Sequence, residues 1–390
     1  MKKILYIHHT AGWGGSAKSM IETIKYLDRK QYTPIVLLLK NSTLTDVFKK
    51  NNIPFHIAQS TFYNRWYQFF VHSEAGYIKW YNIFKLLQNI TLWLLSRYVF
   101  APKELKKIDF DIAHINTSVL TDWLAPCQKK AKTIIHIREP FRKGKIDCLH
   151  YFFRRQMAKH ADYIIAISKD NAHRINLPEK TTVIYNFSDI PQEAVNKESY
   201  YSKTFLYLGG SSPIKGFYTL VDSLQYLNAD VKIIFAGTLS TDLISGNRLK
   251  KTLYYIFSNH RKRLKAIKLI KQNPNSQIVG LVSNISELLN NSCCLISPFS
   301  KPHFSRPVIE AHLHQKMAIG SNVEGMDEII EQNITGILTP RDNPEKLAQA
   351  INYVAEHPDE AKRMGINGYQ VAIKKFTNKN IAQIQKVYTK

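Results

Sequence analysis

Two charged side chains fall where a parallel α/β sheet would present its ligand groups. Lys215 enters a helix from the stretch FLYLGGSSPIKGFYTLVDSL, just after Gly209 and Gly210 end a strand. A lysine at the positive end of a helix dipole is unfavourable unless an anion offsets it, so Lys215 beside unsatisfied helix amides suits a diphosphate. The plainer alternative is an exposed N-terminal lysine. Glu310 follows the loop SPFSKPHFSRPVIEA, residues 297–311, in which strand CCLISP stops at Pro298 and Pro307 sits where a helix would begin. A carboxylate in the first turn of that helix complements its dipole. It would equally accept two hydroxyls of a ribose.

A third stretch, HHTAGWGGSAKSM, joins the first strand to a helix. Gly12-x-Gly14-x-x-Ala17 approximates a dinucleotide fingerprint, but the second strand ends in Lys40 and Asn41 rather than in an acid for ribose. Gly12 to Ser19 approximates a Walker loop, but Ala17 replaces the glycine before Lys18. A generic feature survives: Gly14, Gly15 and Ser16 open a helix whose amides suit a phosphate or an acceptor, or else simply make a tight turn.

These residues need rigid supports, and the sequence supplies them. Six short β-branched runs (KILYI, TPIVLLL, DIAHIN, TIIHI, YIIAIS, TTVIYN) precede a polar stretch, DIPQEAVNKESYYSK, and six more follow (TFLYLGG, VKIIFAG, SQIVGLV, CCLISP, MAIGS, GILTP). Strands alternating with amphipathic helices predict parallel sheets covered on both faces. The fold class is therefore α/β, with two Rossmann-like domains over residues 1–190 and 204–373, a linker at 191–203 and a C-terminal helix at 374–390. At 390 residues the chain suits two such domains. Ligands of open α/β sheets bind beyond the carboxyl ends of the strands, so two facing sheets would form an interdomain cleft.

Two segments break the alternation. Residues 61–100, within an insertion at about 61–107, hold 13 of the 45 aromatic residues with Arg65, Lys79, Lys85 and Arg97 interleaved. Residues 248–272 carry nine Lys/Arg and no acid, with apolar residues at roughly helical spacing. Such stretches suit an anionic membrane surface, or they are helices packing on their own domain with a solvated basic face. The formal charge of +24 favours anionic partners in general. Zinc-finger spacings and RNP-like aromatic motifs are absent, so nucleic acid is not an expected partner.

The N-terminal apolar run is too short for a signal peptide, and ITLWLLSRYVF is interrupted by Arg97. A soluble or peripheral protein facing the cytoplasm is expected. Cys127, Cys148, Cys293 and Cys294 include no C-x-x-C pair and read as reduced thiols packed in the core.

Taken in order, the Gly-turn with Lys215-Gly216, the proline-ended strand, FSRPVIEA and SNVEGMDEIIEQNITGILTPRDNPEKLAQAI resemble the family 4 retaining glycosyltransferases (glycosyl transferases group 1), which have the two-domain GT-B fold. The resemblance is dense from Phe205 to Tyr353. It is sparser before that, where AGWGGSAKSM, IIHIREP, AIS and VIYN match in order.

The resemblance implies a nucleotide-sugar donor bound by the second domain. Lys215 would hold the diphosphate and Glu310 the ribose. Gly209, Gly210 and the stretch His303, Phe304, Ser305, Arg306, Pro307 and Val308 would pass the sugar and phosphates. His136 and Arg138 would face the sugar from the first domain, and Gly14 and Gly15 would lie near the diphosphate or acceptor. His136 is otherwise a hydrogen-bonded strand-end histidine. Glu328 matches a further carboxylate of the family.

The family is typically metal-independent, so no metal or cofactor is expected; Asp109 and Asp111 are the nearest approach to an Asp-x-Asp motif. Two departures stand out. Gly210 occupies the usual place of an arginine, and Pro302 that of the first of two glutamates. Lys301, His303, Ser305 and Arg306 lie near enough in sequence to substitute, which would alter donor preference.

The expected activity is retaining transfer of a sugar to a glycan or lipid-linked acceptor. It would serve bacterial surface-polysaccharide assembly (lipopolysaccharide or capsule), in the cytoplasm and peripherally on the inner face of the cell membrane. The alternative is a catalytically impaired member that binds sugar nucleotides or a membrane partner.

Overall fold

The computed structural model describes residues 1–9, 14–79, 81–144, 147–239, 260–282 and 284–390. Gly12, the part of the second basic segment at 248–259 and Trp80 of the first lie outside the described residues. The chain forms two compact units: Met1–Ser188 with Phe376–Lys390, and Asp189–Lys375.

The first unit is built on a seven-stranded sheet. Its strands are β1 (Lys2–His8), β2 (Tyr32–Leu38), β3 (Phe55–Ile57), β6 (Ile112–Ile115), β7 (Lys132–Ile137), β8 (Tyr163–Ala166) and β9 (Thr181–Val183); β4 (His72–Ser73) and β5 (Gly76–Tyr77) form a separate hairpin. The order is β3-β2-β1-β6-β7-β8-β9, with every pairing parallel. Strands buried on both faces read as continuous apolar runs, which is why most were visible in sequence. β3 and the hairpin are too short to leave such a run.

Register places Tyr6 opposite His114, and His114 opposite Ile134. With a side-chain period of two, His136 shares the face of Tyr6 and His114. The helices Gly15–Lys25 and Ile381–Thr389 cover that face with Ala17, Met20, Ile24, Ile384 and Val387. On the opposite face Leu5, Ile7, Ile135 and Ile137 pack with Tyr63, Trp93, Trp123 and Phe153.

The second unit has six parallel strands: β10 (Thr204–Tyr207), β11 (Lys232–Ala236), β12 (Ser276–Gly280), β13 (Cys294–Ser297), β14 (Met317–Ser321) and β15 (Gly336–Thr339). Their order is β12-β11-β10-β13-β14-β15. In each sheet the chain grows outward in one direction and then the other. The reversal falls between β1 and β6 in the first unit and between β10 and β13 in the second. Such a switch point opens a crevice at the carboxyl ends of the strands.

Several local expectations need adjustment. The stretch 191–203 is anchored to the second unit: the Lys316 ammonium donates to Asn196 O (3.2 Å) and to Ser199 Oγ, and lies 4.3 Å from the Tyr200 ring centroid. The helix His260–Gln272 buries Ala266, Ile267 and Ile270 in the second unit's own core, so its apolar stripe is already covered. Cys148 is exposed at a helix start, unlike the three buried thiols.

Candidate active site

In the second unit, the turn after β10 and the loop after β13 meet at the switch point. Gly209 has no room for a side chain: a Cβ would lie 1.9 Å from the Tyr207 hydroxyl oxygen. Gly210 takes a left-handed φ of 56° while its N–H donates to Ala236 O (3.0 Å), and a Cβ there would lie 2.7 Å from Thr238 O. An arginine at this position is therefore incompatible with the backbone of this chain. Gly216, also left-handed at φ 76°, lets the helix that follows Lys215 press against Pro298. Ser300 N–H donates to Ile214 O (3.0 Å), tying the two loops together.

Lys215 is thereby half-buried, and burial lowers its pKa. Among the described residues its ammonium has no hydrogen-bond or ion-pair partner. A desolvated cation without a counter-charge is under-stabilised until an anion arrives. His303 stands in the field of that cation; desolvation, with the Lys215 charge adding to it, lowers its pKa to about 3. Its ring stacks on Phe299 with centroids 3.9 Å apart, and its backbone N–H donates to Glu324 O (3.0 Å). The imidazole is neutral and able to exchange hydrogen bonds with sugar hydroxyls without adding charge.

The helix after this loop spans Arg306–Leu313, with Pro307 in its first turn. Glu310 therefore lies in the second turn, not the first, and does not serve the dipole. Arg306 Nε donates to Glu310 Oε1 at 2.9 Å, and both side chains are only 7% exposed. This i,i+4 pair fixes the carboxylate in place. Ser305 Oγ lies 3.0 Å from Ser297 Oγ. Phe304 and Val308 are buried, and the Val308 amide is bonded to Ser305 O (3.2 Å), so Val308 supports the loop from behind.

In the first unit, two buried polar rows run along the face shared by β1, β6 and β7. In the outer row Asn116 Nδ2 lies 3.2 Å from His8 Nδ1 and donates to Ser16 O (3.1 Å), while its Oδ1 accepts from Arg138 Nε (2.7 Å). Arg138 Nη1 donates to Asn186 Oδ1 (2.7 Å). The guanidinium is thus oriented at the carboxyl end of the sheet. Gly14 and Gly15 begin the adjacent helix, which has no side-chain cap and no acid in its first turn. A Cβ on either glycine would meet no atom within 4 Å, so packing does not require glycine here.

The inner row joins the Tyr6 and Tyr388 hydroxyls (2.9 Å), Tyr388 and His114 Nδ1 (2.7 Å), and His114 Nε2 and His136 Nδ1 (3.2 Å). His136 is 2% exposed, and burial with the nearby Arg138 charge holds its pKa well below the usual range. It is a neutral, hydrogen-bonded interior histidine whose buried Nε2 has no partner among the described residues.

Glu139 escaped the sequence reading. Its Oε1 accepts from Thr117 Oγ1 (2.5 Å), Ser118 N–H (2.7 Å) and Ser118 Oγ (2.5 Å). Its charge also opposes the burial-driven fall of the His9 pKa. The available signal was its place beside Arg138 at a strand end. Among the described residues, no three His, Cys, Asp or Glu side chains converge in a way that could hold a metal ion.

Two family models tile the chain: Glycosyltransferase Family 4 over residues 13–191 and Glycosyl transferases group 1 over residues 190–371. The chain belongs to the group 1 glycosyltransferases of the family 4 type.

Its relatives include the uncharacterized glycosyltransferase MJ1178 of Methanocaldococcus jannaschii, 26% identical over 61% of this chain and 62% of that one. Another is the capsular polysaccharide biosynthesis glycosyltransferase CapM of Staphylococcus aureus, 24% identical over 45% of this chain and 42% of its own. The chain thus spans less than two thirds of either relative. Among solved structures, Anabaena HepE in complex with UDP and glucose superposes with a TM-score of 0.75 at 18% identity, covering both chains in full. The shared fold is GT-B, with two Rossmann-like domains.

Proposed function

We propose that this glycosyltransferase moves a sugar, with retention of configuration and without a metal, from a nucleotide-diphosphate sugar to a glycan or lipid-linked acceptor. The process would be bacterial surface-polysaccharide assembly at the cytoplasmic face of the membrane. The observation that carries the reading is Lys215, a half-buried cation at the switch point with no partner among the described residues. A diphosphate leaving group is the anion it suits. HepE's complex with UDP and glucose and CapM's role in capsular polysaccharide biosynthesis support the donor and the process.

In this reading Lys215 and the amides of the following helix hold the diphosphate, Glu310 accepts from the ribose, and His303 meets the sugar. Gly209, Gly210, Ser305, Arg306 and Pro307 shape the path between them. Arg138 and the helix opened by Gly14, Gly15 and Ser16 serve the sugar and acceptor side, with His136 beneath them. As the bond from the anomeric carbon to the diphosphate breaks, the acceptor oxygen bonds to the same face, and its proton passes to a phosphate oxygen. No protein nucleophile is required.

Incubation with UDP-, GDP-, ADP- and CMP-sugars tests the reading. Release of one nucleoside diphosphate, undiminished by EDTA and lost in Lys215→Ala, is expected. Wild-type turnover by Lys215→Ala would refute the assignment. Gly210 and the buried Pro302 favour a second reading, a binding protein without turnover. Saturable binding of a sugar nucleotide with neither hydrolysis nor transfer, lipid extract included, would support that instead.

A further inference from the structure

The helix Ile83–Leu95 is apolar on its outer face as well as its inner one. Its outward residues Ile83, Phe84, Leu87, Leu94 and Leu95 are 57, 90, 56, 42 and 40% exposed, and Tyr98 in the next turn is 67% exposed. At about 100° per residue, all six fall within an arc of about 120°. The inward side is apolar too: Trp93 is buried, Leu86, Ile90 and Leu92 pack against the core, and the buried Asn89 among them donates to Lys85 O (2.9 Å). An ordinary surface helix keeps its outer face polar. On the inward side the neighbouring helix Cys148–His160 sets the Phe152 ring 5.1 Å from that of Trp93, which fixes the helix Ile83–Leu95 on the unit. A contiguous apolar face of this kind marks an interaction surface.

Charge identifies the occupant. From Ala75 to Lys103 the sequence has Lys79, Lys85, Arg97 and Lys103 and no Asp or Glu. Lys79, Lys85 and Lys103 are exposed around the apolar stripe. Tyrosines at its edge carry an apolar ring and a polar tip, the combination suited to a headgroup region. The helix has 13 residues, about 20 Å, which is too short to cross a bilayer but suited to lying in its surface. No helix of the described residues is long and apolar enough to cross a membrane.

We infer that the outward face of Ile83–Leu95, with Tyr98, docks on an anionic phospholipid surface, the apolar stripe entering the headgroup boundary and the lysines pairing with lipid phosphates. The inference deepens the reading of a lipid-linked acceptor and rests on it for its purpose, but its test needs no turnover.

Flotation of the full chain with phosphatidylcholine vesicles, with and without phosphatidylglycerol, tests it at low salt. Wild type floats with the anionic vesicles. Phe84→Gln/Leu87→Gln, at positions already in water, keeps the melting temperature and lowers partitioning at least about tenfold. Lys79→Glu/Lys85→Glu/Lys103→Glu removes the preference for anionic lipid. Wild type that stays unbound, or a glutamine double variant that floats as well as wild type, overturns the proposal. A wild-type dimer converted to monomer by Phe84→Gln/Leu87→Gln would assign the face to a second copy instead. Donor hydrolysis measured without lipid is the same in both variants. Flotation without any hydrolysis would leave the docking surface standing and remove the catalytic reading.

Discussion

Gly216 and Pro298 hold the two loops of the second unit's site together: a Cβ on Gly216 would lie 1.8 Å from the Pro298 carbonyl oxygen. Gly216→Ala must separate the loops and shift Lys215, so turnover should fall on the order of 10²-fold, with a lower melting temperature. Lys215→Met removes a lone half-buried cation without moving backbone. Turnover should fall by a similar factor or more while the melting temperature holds or rises. Melting and donor turnover measured on both variants separate backbone placement from charge.

Gly210 answers why the usual arginine is missing. Gly210→Arg should not improve turnover; its Cβ would meet the Thr238 backbone in a left-handed conformation. A stability loss of about 1–3 kcal/mol is expected from denaturant unfolding. A gain in turnover at unchanged stability would show that the backbone here adapts.

Glu139→Ala leaves Thr117 Oγ1, Ser118 N–H and Ser118 Oγ without their shared acceptor. Unfolding free energy should drop by about 1–3 kcal/mol. Glu139→Gln, which keeps an acceptor oxygen, should recover part of it. Equal losses in the two variants would mean that charge rather than hydrogen bonding dominates.

Acid sensitivity follows from the buried histidines. His8, His114, His136 and His303 all have folded pKa values below the ordinary 6.5, chiefly through burial. Above about pH 6.5 they are neutral in both states and contribute no pH dependence. As pH falls from there toward the folded values, the unfolded chain takes up protons that the native state refuses. Stability should decline by about 1.4 kcal/mol per pH unit for each such histidine. Asp122, pushed up to about 6 by burial, opposes this with one proton. Denaturant unfolding at pH 7 and pH 5 measures the balance, and equal stabilities would show that the histidines protonate in the native state.

The strands were legible because two-sided burial writes them as apolar runs, and the second unit's Gly-turn because close backbone approach demands glycine at Gly209, Gly210 and Gly216. Other features depend on contacts that sequence spacing does not encode. Tyr6 and Tyr388 meet across 382 residues. Glu139 stands beside Arg138 at a strand end, but its partners Thr117 and Ser118 lie at another strand's end, which spacing does not reveal. The Arg306–Glu310 pair has visible i,i+4 spacing, but its meaning depended on where the helix began, and Pro307 is compatible with more than one start. The segment 61–100 read as aromatic and basic, but only the fold reveals that within Ile83–Leu95 Trp93 faces inward and Phe84 outward.

The return of Phe376–Lys390 to the first unit has a consequence for biosynthesis. During translation, all of Asp189–Lys375 emerges from the ribosome ahead of the hydroxyl that anchors His114. The inner polar row must wait with His114 and Tyr6 lacking their shared partner, so the unit begun first is completed last. A chain truncated just before Tyr388 would keep every residue of the second unit and leave His114 and Tyr6 without their shared partner.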